Sequence, residues 1–258
     1  MKKFIIVLFI SILTIFTLEG CSKKEQDPYK NYRGMSSSTL FESGERALAK
    51  KNYVRAVKYL EALDALYPFG PYAEQGQLDI IYAYYMNGDF ALASLAAERY
   101  MRLYPRGQHV DYAYYMRGMI GLHLGLTWLQ RRVGISPDMR DVSSLQQCYG
   151  SFALLVEQYP GSPYAADALV RMIYIRNLLA QREVDIAEFY MERHAYVASA
   201  NRASTVVQHF QGSPLVEPAL VIMVESYREL GLTQMADESY RLLQANFPLS
   251  PELKSLSK

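Results

Sequence analysis

The stretch Leu66-Tyr67-Pro68-Phe69-Gly70-Pro71-Tyr72-Ala73 decides the fold, because its aromatic-proline step returns along the chain. It recurs as Tyr104-Pro105, as Tyr159-Pro160, in degenerate form as Phe210-Gln211 before Gly212-Ser213-Pro214, and as Phe247-Pro248. The aromatic positions lie 37, 55, 51 and 37 residues apart, a basic period of 37 expanded twice, by 18 and by 14. Self-similarity at such a period marks stacked repeats, each covering the apolar face of its neighbour. Proline cannot continue a helix and pushes the residue before it out of the α region, while the aromatic ring fills the gap between neighbouring helices. Each step therefore reads as a helix end.

Between these ends the apolar residues follow helical spacing. Ser36 to Ser38 offer N-caps to a first helix with Leu40, Phe41, Ala47 and Leu48 on one side, and a second, from about Asn52 to Leu66, buries Val57, Leu60, Ala62 and Leu63. No stretch sustains period-two alternation, so no strand is expected. Twelve residues before each proline or its equivalent stand Ala56, Ala93, Cys148, Ser199 and Ala236, all small, as close approach of two paired helices requires. This matches the tetratricopeptide pattern, with Gly44 and Gly118 at the small position of their first helices and Tyr84 and Tyr227 at the aromatic one. Ile81, Ile173 and Val224 occupy the glycine place in the other pairs. The expected fold is an all-α, tetratricopeptide-like solenoid over 36–258, with five helix pairs at about 36–68, 71–105, 108–160, 163–211 and 214–248.

The two expansions differ in kind. The first, between Leu126 and Ser143, holds Trp128, Gly134 and Pro137 and reads as a loop excursion. The second lies in a run from Tyr164 to Arg193 without Gly or Pro, and reads as one helix of roughly 45 Å projecting beyond the stack. Such a helix serves either as a partner contact or as a long packed element.

The N-terminus has another character. Lys2 and Lys3 precede an apolar run from Phe4 to Leu18, then Leu18-Glu19-Gly20-Cys21, the layout of a secretory signal over residues 1–20. Leu-x-Gly-Cys resembles the bacterial lipobox, with Glu19 where a small or apolar residue is usual, which makes Cys21 the expected lipidated first residue. Ser22 after the cysteine implies sorting to the outer membrane, and polar residues 21–35 read as a tether reaching about 50 Å.

Half of the residues are hydrophobic, which excludes wholesale disorder. Without Lys2, Lys3 and Glu19, 25 basic residues face 25 acidic ones, a balance unlike that of a nucleic-acid binder. The histidines at 109, 123, 194 and 209 lack metal-ligand spacing, and Cys148 reads as a buried thiol packing as a small hydrophobe. No phosphate loop occurs, and Gly134-Ile135-Ser136-Pro137-Asp138 lacks the strand and final glycine of a nucleophile elbow. No catalytic residues, metal or cofactor are expected, and the chain is expected not to be an enzyme.

The 22 tyrosines are the stronger lead. In the second repeat Gln77, Ile80, Ile81 and Tyr84 are expected inside the pair, which leaves Gln75, Leu78, Tyr82 and Tyr85 on the concave side; Tyr112, Tyr115, Met119 and Leu122 follow in the third. Such a surface suits an extended or helical peptide with aromatic side chains, or else its rings fill a tight superhelix. Gly118, Gly121 and Gly125 share one helical face that permits close backbone packing.

Taken with Leu-Glu-Gly-Cys, the segments Leu63-Asp64-Ala65-Leu66-Tyr67-Pro68-Phe69-Gly70-Pro71-Tyr72, Leu78-Asp79-Ile80-Ile81-Tyr82-Ala83-Tyr84-Tyr85, Val110-Asp111-Tyr112 and Tyr115-Met116-Arg117-Gly118 resemble the BamD family of outer-membrane assembly lipoproteins. Arg176 to Arg193 and Ala200-Asn201-Arg202 extend the resemblance over the mature chain. It implies a non-enzymatic subunit of the β-barrel assembly machinery, lipid-anchored on the periplasmic face of the outer membrane. It further implies binding of the BamA POTRA region by the C-terminal repeats, with Asn201 and Arg202 on that side, and contact with other assembly lipoproteins. The N-terminal repeats would engage C-terminal aromatic signals of unfolded outer-membrane proteins, with Tyr67, Phe69 and Tyr72 on the substrate side beside the groove residues Leu78, Tyr82 and Tyr85. A pilotin-like tetratricopeptide lipoprotein, assisting secretin or pilus assembly, is the alternative. A cell-wall enzyme would need a further catalytic domain, for which the sequence up to Lys258 offers no room.

Overall fold

The structure of the protein, a computed structural model, describes residues 27–123 and 142–256. The expected signal segment, Cys21, Gly125 and most of the excursion expected between Leu126 and Ser143 lie outside the described residues. Those described form eleven α-helices, a short 3-10 turn and no strand. In chain order the helices are α1 (Ser37–Ala49), α2 (Tyr53–Leu66), α3 (Ala73–Asn87), α4 (Phe90–Leu103), α5 (Val110–His123), α6 (Val142–Gln158), α7 (Ala165–Glu192), α8 (Tyr196–His209), α9 (Val216–Glu229), α10 (Thr233–Asn246) and α11 (Glu252–Leu256). Each helix from α1 to α10 packs on the next, giving five antiparallel pairs closed by the short α11. First helices of successive pairs also touch, α1 with α3, α3 with α5 and α7 with α9, so the stack curls with its first helices on the inner side.

The aromatic-proline steps end helices in one way. Tyr67, Tyr104, Phe210 and Phe247 are C-cap residues with ψ between 38° and 61°, outside the helical range. Their N–H groups still donate to the carbonyls of Leu63, Tyr100, Val206 and Leu243 at 2.8–3.0 Å, and Tyr159 donates likewise to Leu155. Phe210 takes the same shape although glutamine follows it, so the packed aromatic contributes to the stop as well as the proline. Within pairs the chain reverses through a left-handed residue: Lys51, Gly88, His194 and Gly231 have φ of 55°, 85°, 59° and 70°.

All five small residues on the second helices, Ala56, Ala93, Cys148, Ser199 and Ala236, are buried. Their partners confirm the close approach. A Cβ on Gly44 would meet Leu60 Cδ2 at 2.9 Å, one on Gly118 would meet the Phe152 ring at 2.5 Å, and one on Gly121 would collide with Cys148 Sγ. In the fourth pair the expected position is wrong. Ile173 is exposed, and the place against Ser199 belongs to Ala187, whose carbonyl accepts from the Ser199 hydroxyl at 2.8 Å. The 14 added residues precede the pairing turn, so they shift the pairing register to the far half of the helix.

The helix α7 is single and 28 residues long, as its sequence predicts, but it does not project. Ala168 and Ile175 pack with Leu145, Cys148, Phe152 and Leu155, whereas Ala180, Val184 and Ala187 join Ala200, Ala203, Leu220 and Val224. It is a shared spine for two apolar clusters. Each fully buried Leu or Ile contributes roughly 1.5–3 kcal/mol relative to exposure. No helix among the described residues is long and apolar enough to cross a membrane.

The described chain also folds earlier than Ser36. A 3-10 turn, Lys30–Tyr32, is spanned by an Arg33–Asp27 ion pair of 2.8 Å, and Tyr29, Tyr32 and Met35 pack on Leu40, Ala62 and Leu63. Aromatic residues, absent from an ordinary tether, explain the difference.

Candidate binding groove

The inner faces of α3 and α5 meet beneath the segment that enters α7. Gln75, Leu78, Asp79 and Tyr82 from α3, His109 and Tyr112 at the start of α5, and Tyr164 before α7 enclose a cavity of about 220 Å³. Helical spacing puts 75, 78, 79 and 82 on one face of α3, while Gln77, Ile80, Ile81 and Tyr84 are buried on the other, as the sequence predicts. Tyr84 donates its hydroxyl to Glu61, which anchors α3 against α2.

The expected peptide-binding residues fall into three environments. Leu78 is buried at the cavity wall, and Tyr82, 37% exposed, stands edge-on to Tyr53 with ring centres 6.3 Å apart. Tyr85 sits farther along α3, its hydroxyl 2.8 Å from His123 Nε2 and its ring edge-on to Phe90 and to the His123 ring. Tyr67, Phe69 and Tyr72 are not part of the cavity lining. The Tyr67 hydroxyl donates to the Met35 carbonyl at 2.8 Å, Tyr72 stacks on Phe41 at 5.0 Å, and Phe69 stands 89% exposed in the turn before α3.

Of the two alternatives for the aromatic surface, filling by its own rings accounts for part. Tyr115 stacks on Tyr164 at 4.9 Å, Tyr112 leans on Tyr164 at 5.5 Å, and Met119 and Leu122 pack with the middle cluster, so rings fill much of the third repeat's share. Towards the second repeat the cavity stays open. Burial raises the Tyr112 and Tyr164 hydroxyls above the ordinary phenol range, and they remain neutral donors at any physiological pH. Tyr115 donates to Asp167 at 2.7 Å, and Arg171 holds the same carboxylate at 2.5 Å with its guanidinium over the Tyr115 ring. Against burial, the bonds from Tyr115 and Arg171 hold the Asp167 carboxyl below its usual range.

Sequence reasoning missed Asp79, His109 and Tyr164. Tyr164 had a signal, since Pro163-Tyr164-Ala165 repeats Pro71-Tyr72-Ala73. Asp79 had none, because one acid on an amphipathic helix reads as a solvated face.

At the other end of the stack, Asn201 and Arg202 are exposed on α8. Arg202 Nη1 pairs with Glu183 Oε2 at 3.0 Å, and Glu183 Oε1 takes Arg182 at 3.2 Å. A cavity of about 700 Å³ lies nearby in chain order, lined by Val207, Pro214, Leu220, Leu242 and Phe247 among others. Cys148 is buried and its thiol donates to the Ser144 carbonyl at 2.9 Å. Among the described residues no group of three or more His, Cys, Asp or Glu is arranged to hold a metal ion.

Comparison with known proteins adds kinship to this geometry. The chain is 35% identical over 254 residues to the outer membrane protein assembly factor BamD of Neisseria meningitidis serogroup A, covering 98% of this chain and 94% of that one. The same-named proteins of Vibrio cholerae and Pasteurella multocida are each 34% identical, over 91% and 95% of this chain and 96% and 92% of theirs. Among solved structures, the type IV pilus biogenesis factor PilW aligns over 86% of this chain and 98% of its own at 14% identity, with a TM-score of 0.36, too distant to bear on function. A family model described as outer membrane lipoprotein, YfiO, matches residues 33–242, and with relatives named BamD alike along almost their whole length, the chain belongs to this family of outer membrane lipoproteins.

Proposed function

We propose that the protein is a non-enzymatic scaffold in the assembly of outer-membrane β-barrel proteins, held by a lipid on Cys21 at the periplasmic face of the outer membrane. The groove over α3 and α5 takes aromatic C-terminal segments of unfolded barrel proteins, and the α7–α8 face around Asn201 and Arg202 meets the POTRA region of BamA. The names of the relatives support the assembly role. The observation that carries the division of labour is the open, tyrosine-walled cavity in the N-terminal half, far along the chain from an exposed arginine on α8.

The chemistry of each site follows from its groups. In the groove, ring faces supply contact area and neutral hydroxyls supply hydrogen bonds, so binding tolerates many sequences while favouring aromatic ones. Tyr82 carries this most directly; Tyr67 holds Met35 and so also secures the start of α1. On α8, a carboxylate from a partner would compete with Glu183 for Arg202, an exchange of one ion pair for another.

Affinity purification of the native lipidated protein from gently solubilised envelopes tests the whole reading. Near-stoichiometric BamA is the expected result; a secretin without BamA would overturn it in favour of a pilotin-like role. Two variants test the division. Tyr82→Ala is expected to lower capture of an aromatic-rich peptide several-fold and leave BamA recovery unchanged, whereas Arg202→Glu does the reverse. Parallel loss of both activities in either folded variant counts against two separate sites.

A further inference from the structure

The floor of the groove cavity holds a carboxylate that aromatic recognition leaves unused. Asp79 Oδ1 accepts from the Gln75 side chain at 2.8 Å, while Oδ2 is buried and, apart from a proton it can share with Glu45, has no hydrogen-bond partner among the described residues. Facing it is another acid, Glu45 on α1. Burial, opposed by the Gln75 bond and reinforced by the Glu45 charge and a side-chain hydrogen bond with Glu45, lifts the Asp79 carboxyl to about 7. Tyr82, Tyr112 and Tyr164 stand around the same space.

We propose that this cavity is a subsite for a basic side chain, a lysine ammonium or an arginine guanidinium, carried by the extended peptide that occupies the groove. The inference rests on the groove reading above and adds a charge requirement to it. A cation supplies the donor that Oδ2 lacks, offsets two facing carboxylates, and presents positive charge to ring faces whose quadrupole attracts it. A phenylalanine side chain would offer Oδ2 no donor, a tyrosine hydroxyl would offer one without a compensating charge, and an acidic side chain would bring a third negative charge. The other titratable groups that line the cavity with Asp79 are Tyr82 on its own helix, His109 just before α5, Tyr112 on α5, and Tyr164 at the α7 entry. Protonation of Asp79 removes one of the two negative charges, so the preference for a cation declines as pH falls.

The test uses the full mature chain, residues 21–258, and two fluorescent ten-residue peptides of alternating Tyr and Thr. They are identical except for one central residue, lysine in one and acetyl-lysine in the other. At pH 8 the lysine peptide is expected to bind about tenfold more tightly, the scale of a charge-assisted bond with a cation–π contribution. Asp79→Asn should bring the ratio of the two affinities close to one, Asp79→Glu should retain a preference, and the wild-type ratio should shrink at pH 6. Equal, measurable binding of both peptides by the wild type overturns this inference and leaves the groove reading standing. Failure of both to bind overturns the groove reading and the inference together. A lysine preference that survives Asp79→Asn puts the cation elsewhere and rejects this cavity.

Discussion

Asp79 has an energetic consequence even without a ligand. Its carboxyl, raised to about 7 chiefly by burial, binds a proton more tightly in the folded chain than in the unfolded one, where it titrates near 3.8. Stability is therefore lost as pH rises from about 4 to about 7, and the penalty is fully present above that range. Asp79→Asn should stabilise the protein by on the order of 2 kcal/mol at pH 8 and by much less at pH 4, read from urea midpoints at the two pH values. Equal gains at both pH values would show that the carboxylate charge is not the cause. None of this was legible in the sequence, where Asp79 is one acid among 26 and its burial depends on the approach of α1 and α5. The small positions, by contrast, were legible, because Ala56, Ala93, Cys148, Ser199 and Ala236 hold a fixed offset from a feature that marks the helix end.

Elements show where periodicity carries information and where it is silent. The pairs α1–α2, α3–α4 and α9–α10 follow the 37-residue period, and their second helices end where the aromatic residues predict. In α7 the composition revealed a continuous helix but not which half pairs with α8, since Ile173 and Ala187 are both compatible with a helix and only packing chooses between them. The contact of α5 with α6 is the tightest of the pairings marked by glycine. Gly118→Ala would gain about 1 kcal/mol of helix propensity yet drive a Cβ into the Phe152 ring. The collision should dominate, with a net loss of roughly 1–3 kcal/mol in denaturant unfolding, and Phe152→Leu in the same chain should relieve part of it. A neutral or stabilising Gly118→Ala would mean that the two helices are not held so closely.

Among the described residues, four apolar clusters line up along the stack, and α7 belongs to two of them. Stability in such an array is carried by contacts between neighbours, so damage spreads only as far as the coupling does. Leu243→Ala, which empties a fully buried site in the last pair, should cost about 2–5 kcal/mol locally. Amide exchange should rise in α9, α10 and α11 and in the second half of α7, while α1 to α4 keep their protection. Uniform loss of protection would instead describe a single cooperative unit. The packing of Tyr29, Tyr32 and Met35 onto the first pair bears on how the molecule is tied down. Between Cys21 and Asp27 lie only five residues, a leash of about 20 Å even when drawn out, against the 50 Å that a free segment up to Met35 would allow. With a lipid on Cys21, the first pair would ride close against the bilayer, and strain on the anchor would pass through Met35 and Tyr67 into the helices beside the groove rather than being absorbed by slack.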